Sequence, residues 1–155
     1  MCELYEPKKS CFIYGEICLN IKDKVIEKAR EVINYLISNN VTTFRFCKDT
    51  VFESCCIEIL YELKKTNENI MTCFHIFEPT DFSNYRYRDK KIDAVYYLRG
   101  VKFDFFDKIE DLYKVTLEYS DYFVFFISDL YIDEIKGLID YARIKNKRII
   151  RISDK

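Results

Sequence analysis

Tyr122-Phe123-Val124-Phe125-Phe126-Ile127 is a run of six residues without a charge. A half-exposed strand alternates apolar and polar side chains. A strand apolar at every position is covered on both faces, which is the situation of a central strand in a parallel sheet with helices above and below. Before this run, from about Phe105 to about Tyr119, Phe106, Ile109, Leu112, Val115 and Thr116 recur at helical spacing. After it, from about Ile132 to about Lys145, Ile135, Leu138, Ile139 and Ala142 make a second stripe, and Arg148-Ile-Ile-Arg-Ile152 reads as a closing strand.

The same alternation runs back to the start of the chain. Cys11-Phe-Ile-Tyr-Gly15 is a short aromatic strand ended by a glycine, followed by a helix from about Asp23 to about Asn39 with Val25, Ile26, Ala29, Val32, Ile33 and Leu36 on one face. Val41-Thr-Thr-Phe-Arg-Phe-Cys47 has the β-branched and aromatic content of a second strand, and Phe52, Cys55, Cys56, Ile59, Leu60 and Leu63 define the helix after it. Ile70-Met-Thr-Cys-Phe-His-Ile-Phe77 is the third strand. Pro79 then opens a polar and aromatic connection to about Val101, too long to be idle in a compact domain. Five strands alternating with helices, with no linker or repeat, predict one α/β domain over residues 1–155, a Rossmann-like, doubly wound, five-stranded parallel sheet with helices on both faces. Ligands in such sheets lie outside the carboxyl ends of the strands, at the switch point.

Composition bounds the function. A chain of 155 residues buries roughly 70% of its unfolded surface, and with 49% apolar residues, 13 Phe and 13 Tyr it has ample material for one core. Lys and Arg number 25 against 26 Asp and Glu, so no net field draws the protein to nucleic acid or to an anionic membrane. The one basic run, Arg86-Tyr-Arg88-Asp-Lys90-Lys91, reads as a solvated loop. No stretch approaches the roughly 20 apolar residues of a membrane span, and MCELYEPKKS lacks the apolar segment of a secretion signal. Seven cysteines without a Cys-x-x-Cys pair fit a reducing cytoplasm, and the single histidine, His75, sits in an apolar run as a buried structural residue with no metal-ligand spacing around it. Neither a metal site nor a cofactor is expected.

Read in order and spacing, Cys11-Phe-Ile-Tyr-Gly15, Val41-Thr-Thr-Phe44, Tyr61-Glu-Leu-Lys-Lys65, Tyr119-Ser-Asp-Tyr122 and Tyr141-Ala-Arg-Ile-Lys-Asn-Lys-Arg-Ile-Ile150 resemble small bacterial proteins of the SLOG superfamily, over roughly residues 11–152. The resemblance implies a Rossmann-like fold that binds nucleotides or their derivatives. It also brings in phosphoribohydrolases that release cytokinin-type bases and members thought to sense nucleotide signals in bacterial conflict systems. The chain departs from the family at its ligand edge. Gly15-Glu16-Ile17 stands where the family has Gly-His-Arg, so an anion loses its donors there. Cys47-Lys48-Asp49-Thr50-Val51-Phe52-Glu53 lacks the glycines that let backbone N–H groups approach a phosphate. Ser128-Asp129-Leu130-Tyr131-Ile132-Asp133-Glu134 replaces the glycine pair opening the last helix, with Asp133 and Glu134 read as first-turn acids and Ser128 or Asp129 as cap.

The ligand edge is therefore expected to comprise Tyr14, Gly15, Glu16, Lys48, Asp49, Phe52, Ser128 and Asp129. Lys48 is a point charge for a phosphate or an exposed loop lysine; Tyr14 and Phe52 are stacking rings or core. Glu16, Asp49, Glu53, Asp129 and Asp133 would make an oxygen-rich Mg²⁺ site only by converging, and Cys47 would be a reactive thiol only with a depressed pKa. No catalytic residue is assigned, because no Ser-His or Cys-His arrangement and no phosphoribohydrolase signature is present. Three readings stand open. One is a non-catalytic module that binds, senses or sequesters a nucleotide-derived small molecule. Another is a degenerate SLOG domain that joins a protein partner or a second copy of itself through the aromatic region Tyr85–Tyr113. The third is a residual nucleotide hydrolase.

Overall fold

The computed structural model describes residues 8–16, 20–76, 90–98 and 105–154, with the helical backbone alone for 105–109. Its elements run β1 (Lys9–Gly15), α1 (Asp23–Ser38), β2 (Val41–Phe46), α2 (Val51–Lys64), β3 (Met71–Ile76), β4 (Ala94–Tyr97), α3 (Phe105–Glu118), β5 (Tyr122–Phe126), a 3₁₀ segment (Asp129–Ile135), α4 (Lys136–Ile144) and β6 (Arg148–Ile152). The strands form one parallel sheet in the order β4-β3-β2-β1-β5-β6.

The sheet thus has six strands, not five. The extra one, Ala94-Val-Tyr-Tyr97, lies inside the stretch read as a connection. It is four residues long, ends the strand order and is only partly buried, so it carries none of the continuous apolar pattern that marks β5. Asp93 holds it in place: its backbone N–H donates to Thr72 O at 2.8 Å, its carboxylate accepts from Thr72 N at 2.8 Å, and Lys64 pairs with the same carboxylate. Residues 79–89 and 99–101 of the Pro79 to Val101 connection lie outside the described residues, Arg86 to Asp89 of the basic run among them; Lys91 pairs with Glu58 on α2.

Strand alternation divides the core in two. Cys11 and Ile13 of β1 and Tyr122, Val124 and Phe126 of β5 face α1 and α2, whereas Phe12, Tyr14, Phe123, Phe125 and Ile127 face α3 and α4. Both faces of both strands are buried, as the uninterrupted apolar run requires. The predicted helical stripes fall on these faces: Val25, Ala29, Ile33 and Leu36 of α1, and Leu138, Ile139 and Ala142 of α4, are buried. Asn40 and Asn146 adopt φ of 67° and 57° just after α1 and α4, the left-handed conformation that asparagine supplies in a chain with only three glycines.

The Ser120-Asp121 pair has a structural role. Asp121 accepts the Ser10 N–H at 2.9 Å, which joins the starts of β1 and β5, and Ser120 Oγ donates to Thr116 O at 2.8 Å, which closes α3. The last helix begins later than its stripe suggests. Asp133 and Glu134 lie in the 3₁₀ segment, not in the first turn of an α-helix, and Ser128 precedes that segment without a side-chain cap bond.

Candidate functional site

β1 is the point where the strand order reverses: β2, β3 and β4 extend on one side, β5 and β6 on the other. The crevice between β1 and β5 opens beyond their carboxyl ends. A cavity of about 240 Å³ lies there, lined by Tyr14, Glu16, Lys48, Ile127, Tyr131 and Glu134. A second, of about 280 Å³, is lined by Tyr14, Glu110, Tyr113, Glu134, Ile135, Gly137 and Leu138, between α3 and the start of α4.

Of the predicted ligand edge, the structure brings together Tyr14, Glu16, Lys48 and Ser128. Lys48 is half-buried, not a free loop lysine: Nζ donates to Tyr14 Oη at 2.8 Å and lies 4.4 Å from the Tyr14 ring centroid and 5.4 Å from that of Tyr113. Glu16 is anchored across the switch point. Its N–H donates to Phe126 O at 3.1 Å, and its Oε2 accepts both the Ser128 N–H at 3.1 Å and the Ser128 hydroxyl at 3.2 Å. The Glu16 carboxylate thus occupies both donors of Ser128.

The β2 side is closed. Gly15 touches α2 so tightly that a Cβ on it would stand 2.6 Å from Phe52 Cδ1, 2.9 Å from Phe52 Cβ and 3.0 Å from Thr50 Oγ1. Phe52 is fully buried with its ring 5.1 Å from that of Phe126, so as packed it presents no face to a ligand. Gly15 and Phe52, both placed at the expected ligand edge, are thus packed against each other, and the Gly15 N–H is taken by Glu53. Beneath them Glu53 accepts from Lys48 N at 3.1 Å, from Gly15 N at 3.4 Å and from Thr50 Oγ1 at 2.9 Å, while its own N–H donates to Thr50 Oγ1 at 3.2 Å. Burial pushes the Glu53 carboxyl up to about 7, against the downward pull of these bonds and of the Lys48 charge.

The remaining carboxylates diverge. Asp49 is exposed and accepts from Ser54 Oγ at 3.3 Å, and Asp129 turns to Arg151 at 2.7 Å. No group of three or more metal-ligating side chains forms among the described residues. Cys47 Sγ lies 3.1 Å from Thr116 Oγ1, and burial drives its thiol far above the ordinary range, away from thiolate chemistry. His75 is buried, as expected, with Nε2 3.1 Å from Arg45 Nη1 and its ring stacked on Tyr96; burial, and then the Arg45 charge, lower it to about 3.

No protein-family profile and no curated protein matches the sequence. A solved structure matches the fold. It is the molybdenum cofactor carrier protein of Chlamydomonas reinhardtii, with a TM-score of 0.58 and 9% identity over 96% of this chain and 79% of that one. At that identity the likeness is one of architecture, a Rossmann-like α/β fold with a parallel sheet. No helix among the described residues is long and apolar enough to cross a membrane.

Sequence reasoning missed Tyr113, Tyr131, Glu110 and Gly137 at the site. Tyr113 was within reach, since it is four residues after Ile109 of the predicted stripe. The others sit on exposed or irregular backbone and carry no local signal. Glu53 had one: Thr50-x-x-Glu53 is a helix-capping spacing, although the carboxylate here reaches back to Gly15 and Lys48.

Proposed function

We propose that the chain is a diverged SLOG-like module that binds, carries or sequesters a nucleotide-derived small molecule in the β1/β5 crevice without transforming it. The observation that carries this reading is the crevice itself: it stands at the switch point of the sheet and combines two tyrosines, a lysine and two carboxylates around about 240 Å³ of open space. Tyr14, Glu16 and Lys48 line it, and Ser128 is bonded to Glu16. The SLOG resemblance points to the same ligand class. A fold-level neighbour named as a cofactor carrier is in keeping with a holding role. The groups able to do chemistry are committed elsewhere, Cys47 to Thr116, His75 to Arg45 and Glu53 to backbone N–H groups.

The test is a thermal-shift panel of nucleosides, nucleotides, dinucleotides and cyclic nucleotides. A ligand at 100 times its Kd should stabilise the fold by about 2.7 kcal/mol. Lys48→Met should weaken that ligand about tenfold. No shift with any compound at millimolar concentration rejects the reading.

A second reading has one observation in its favour. Leu130 is 87% exposed beside Tyr131, 49% exposed, which lines the crevice, an apolar surface suited to a second copy of the chain or to a protein partner. Light scattering decides it: a dimer broken by Leu130→Glu supports self-association, and a monomer that co-purifies with nothing rejects the reading.

A further inference from the structure

The sheet face that carries Phe12 and Tyr14 changes character beyond β1. Its apolar cluster draws on β1, β5, the 3₁₀ segment, α3 and α4, and the strands β2, β3 and β4 give it no buried residue. On those strands the register sets Arg45 beside Cys73 and His75 beside Tyr96 on this side, and Tyr119, just past the end of α3, meets them.

Arg45 stands in a frame of rings. Its Cζ lies 5.5 Å from the centroids of both Tyr96 and Tyr119, and its Nη1 lies 3.1 Å from His75 Nε2. A guanidinium only donates, so the imidazole accepts at Nε2, carries its proton on Nδ1 and is neutral. The frame therefore holds one positive charge. That charge is half-buried and lacks a counter-ion among the described residues. Nε is buried without a hydrogen-bond partner, and Nη2 makes no hydrogen bond among the described residues. The neighbouring carboxylates are committed: Asp93, which leads into β4, to Thr72 N and Lys64, and Glu118, next to Tyr119, to Tyr141 and Lys145. Two cation–π contacts offset only part of the desolvation of such a cation. The rim of the frame is open, with Tyr96 44% and Tyr119 64% exposed.

We infer that this frame is a docking surface for a protein partner, which places an Asp or Glu carboxylate on the free donors of Arg45 and packs the apolar neighbours of that residue on Tyr96 and Tyr119. The surface is separate from the crevice and does not depend on the binding reading above. Charge and geometry select the occupant. One cation with an open fork matches one planar monoanion, which a carboxylate is. A phosphate carries more charge than one arginine answers, and the backbone N–H groups that would share it are spent in the ladders on both sides of β2 and β3. A second copy joined patch to patch brings two arginines together. Arginine ringed by exposed tyrosines is the composition in which binding energy concentrates at protein interfaces.

The experiment follows the Arg45 Nε–H signal and the Tyr96 and Tyr119 backbone amides by proton–nitrogen NMR while the capped tripeptides Leu-Glu-Leu and Leu-Gln-Leu are added to the wild type and to Arg45→Lys. The Nε–H signal is assigned by its loss in the variant, in which the two amides alone report binding. The glutamate peptide is expected to move all three signals with a millimolar Kd, at least about fivefold below that of the glutamine peptide. Arg45→Lys keeps a cation over the rings and loses the fork, so it should bind the glutamate peptide no better than the glutamine one. Equal binding of the two peptides, undiminished binding by Arg45→Lys, or signals that do not move overturn the proposal. Inorganic phosphate binding more tightly than acetate overturns it in favour of a phosphate site. Signals that change on dilution of the protein alone overturn it in favour of a second copy.

Discussion

The carboxyl end of β1 has two sides with opposite fates. Against α2, Gly15, Thr50, Phe52 and Glu53 are packed into a solid joint; on the other side, Tyr14, Glu16 and Tyr131, with Lys48 reaching in from the β2–α2 loop, surround open space. The SLOG resemblance would put ligand contacts on both sides. Here a carboxylate satisfies the β1 and β2 end N–H groups on one side, and another carboxylate takes the Ser128 donors on the other. Backbone donors that would hold an external anion are thus held by the chain itself, and the volume left for a ligand lies beside side chains. The comparison teaches that the end of one strand can be packed solid on one side and open on the other, according to where the neighbouring side chains turn.

The contrast is broken most severely at the closed joint. Gly15→Val forces a branched side chain into Phe52, which is fully buried and has nowhere to retreat. We expect a loss of about 3 kcal/mol and, at roughly 2–4 °C per kcal/mol for a domain of this size, a fall of several degrees in Tm by calorimetry.

Glu53 sharpens the contrast through pH. Its carboxyl titrates at about 7 when folded against an ordinary 4.5, so between those values the folded protein holds the extra proton and stability through Glu53 falls as pH rises. His75 acts in the opposite sense: lowered from 6.5 to about 3, it makes stability rise with pH across that interval. Glu53→Gln removes the first contribution and keeps the second. Urea unfolding from pH 4 to pH 8 should therefore show the variant gaining on the wild type as pH climbs, by up to roughly 3 kcal/mol at 1.36 kcal/mol per pKa unit. A difference that does not change with pH would mean that the Glu53 carboxyl is not displaced.

The smallest effect is expected on the open side. Glu16→Ala removes two hydrogen bonds to a half-buried carboxylate whose former donors can turn to solvent in the crevice, so a cost of about 1 kcal/mol in urea unfolding is expected. A loss as large as that of Gly15→Val would show that the crevice is as structural as the joint.

The fold was largely legible because its main signals are local. Phe123 to Phe126 must be covered on both faces wherever they lie, and the stripes on α1, α2 and α4 need a partner surface on one side. Chain order and right-handed crossovers then leave few arrangements for such elements, and the location of the ligand edge follows. Ala94–Tyr97 was not legible, since a four-residue, half-exposed edge strand is defined by its pairing to β3 and not by its own pattern.

The meeting of several strand-end residues was legible, and their partners only partly. Sequence determined that Tyr14, Glu16, Lys48 and Ser128 would meet at the strand ends, because each follows or closes a buried run. Tertiary structure alone decided that Glu16 grips Ser128, 112 residues away, that Glu53 grips Gly15, 38 residues away, and that Lys48, Ile127 and Tyr131 line one cavity. The physical reason is that periodicity records which face a side chain buries, whereas the partner of a carboxylate depends on which backbone donors the sheet register leaves within 3.5 Å of it.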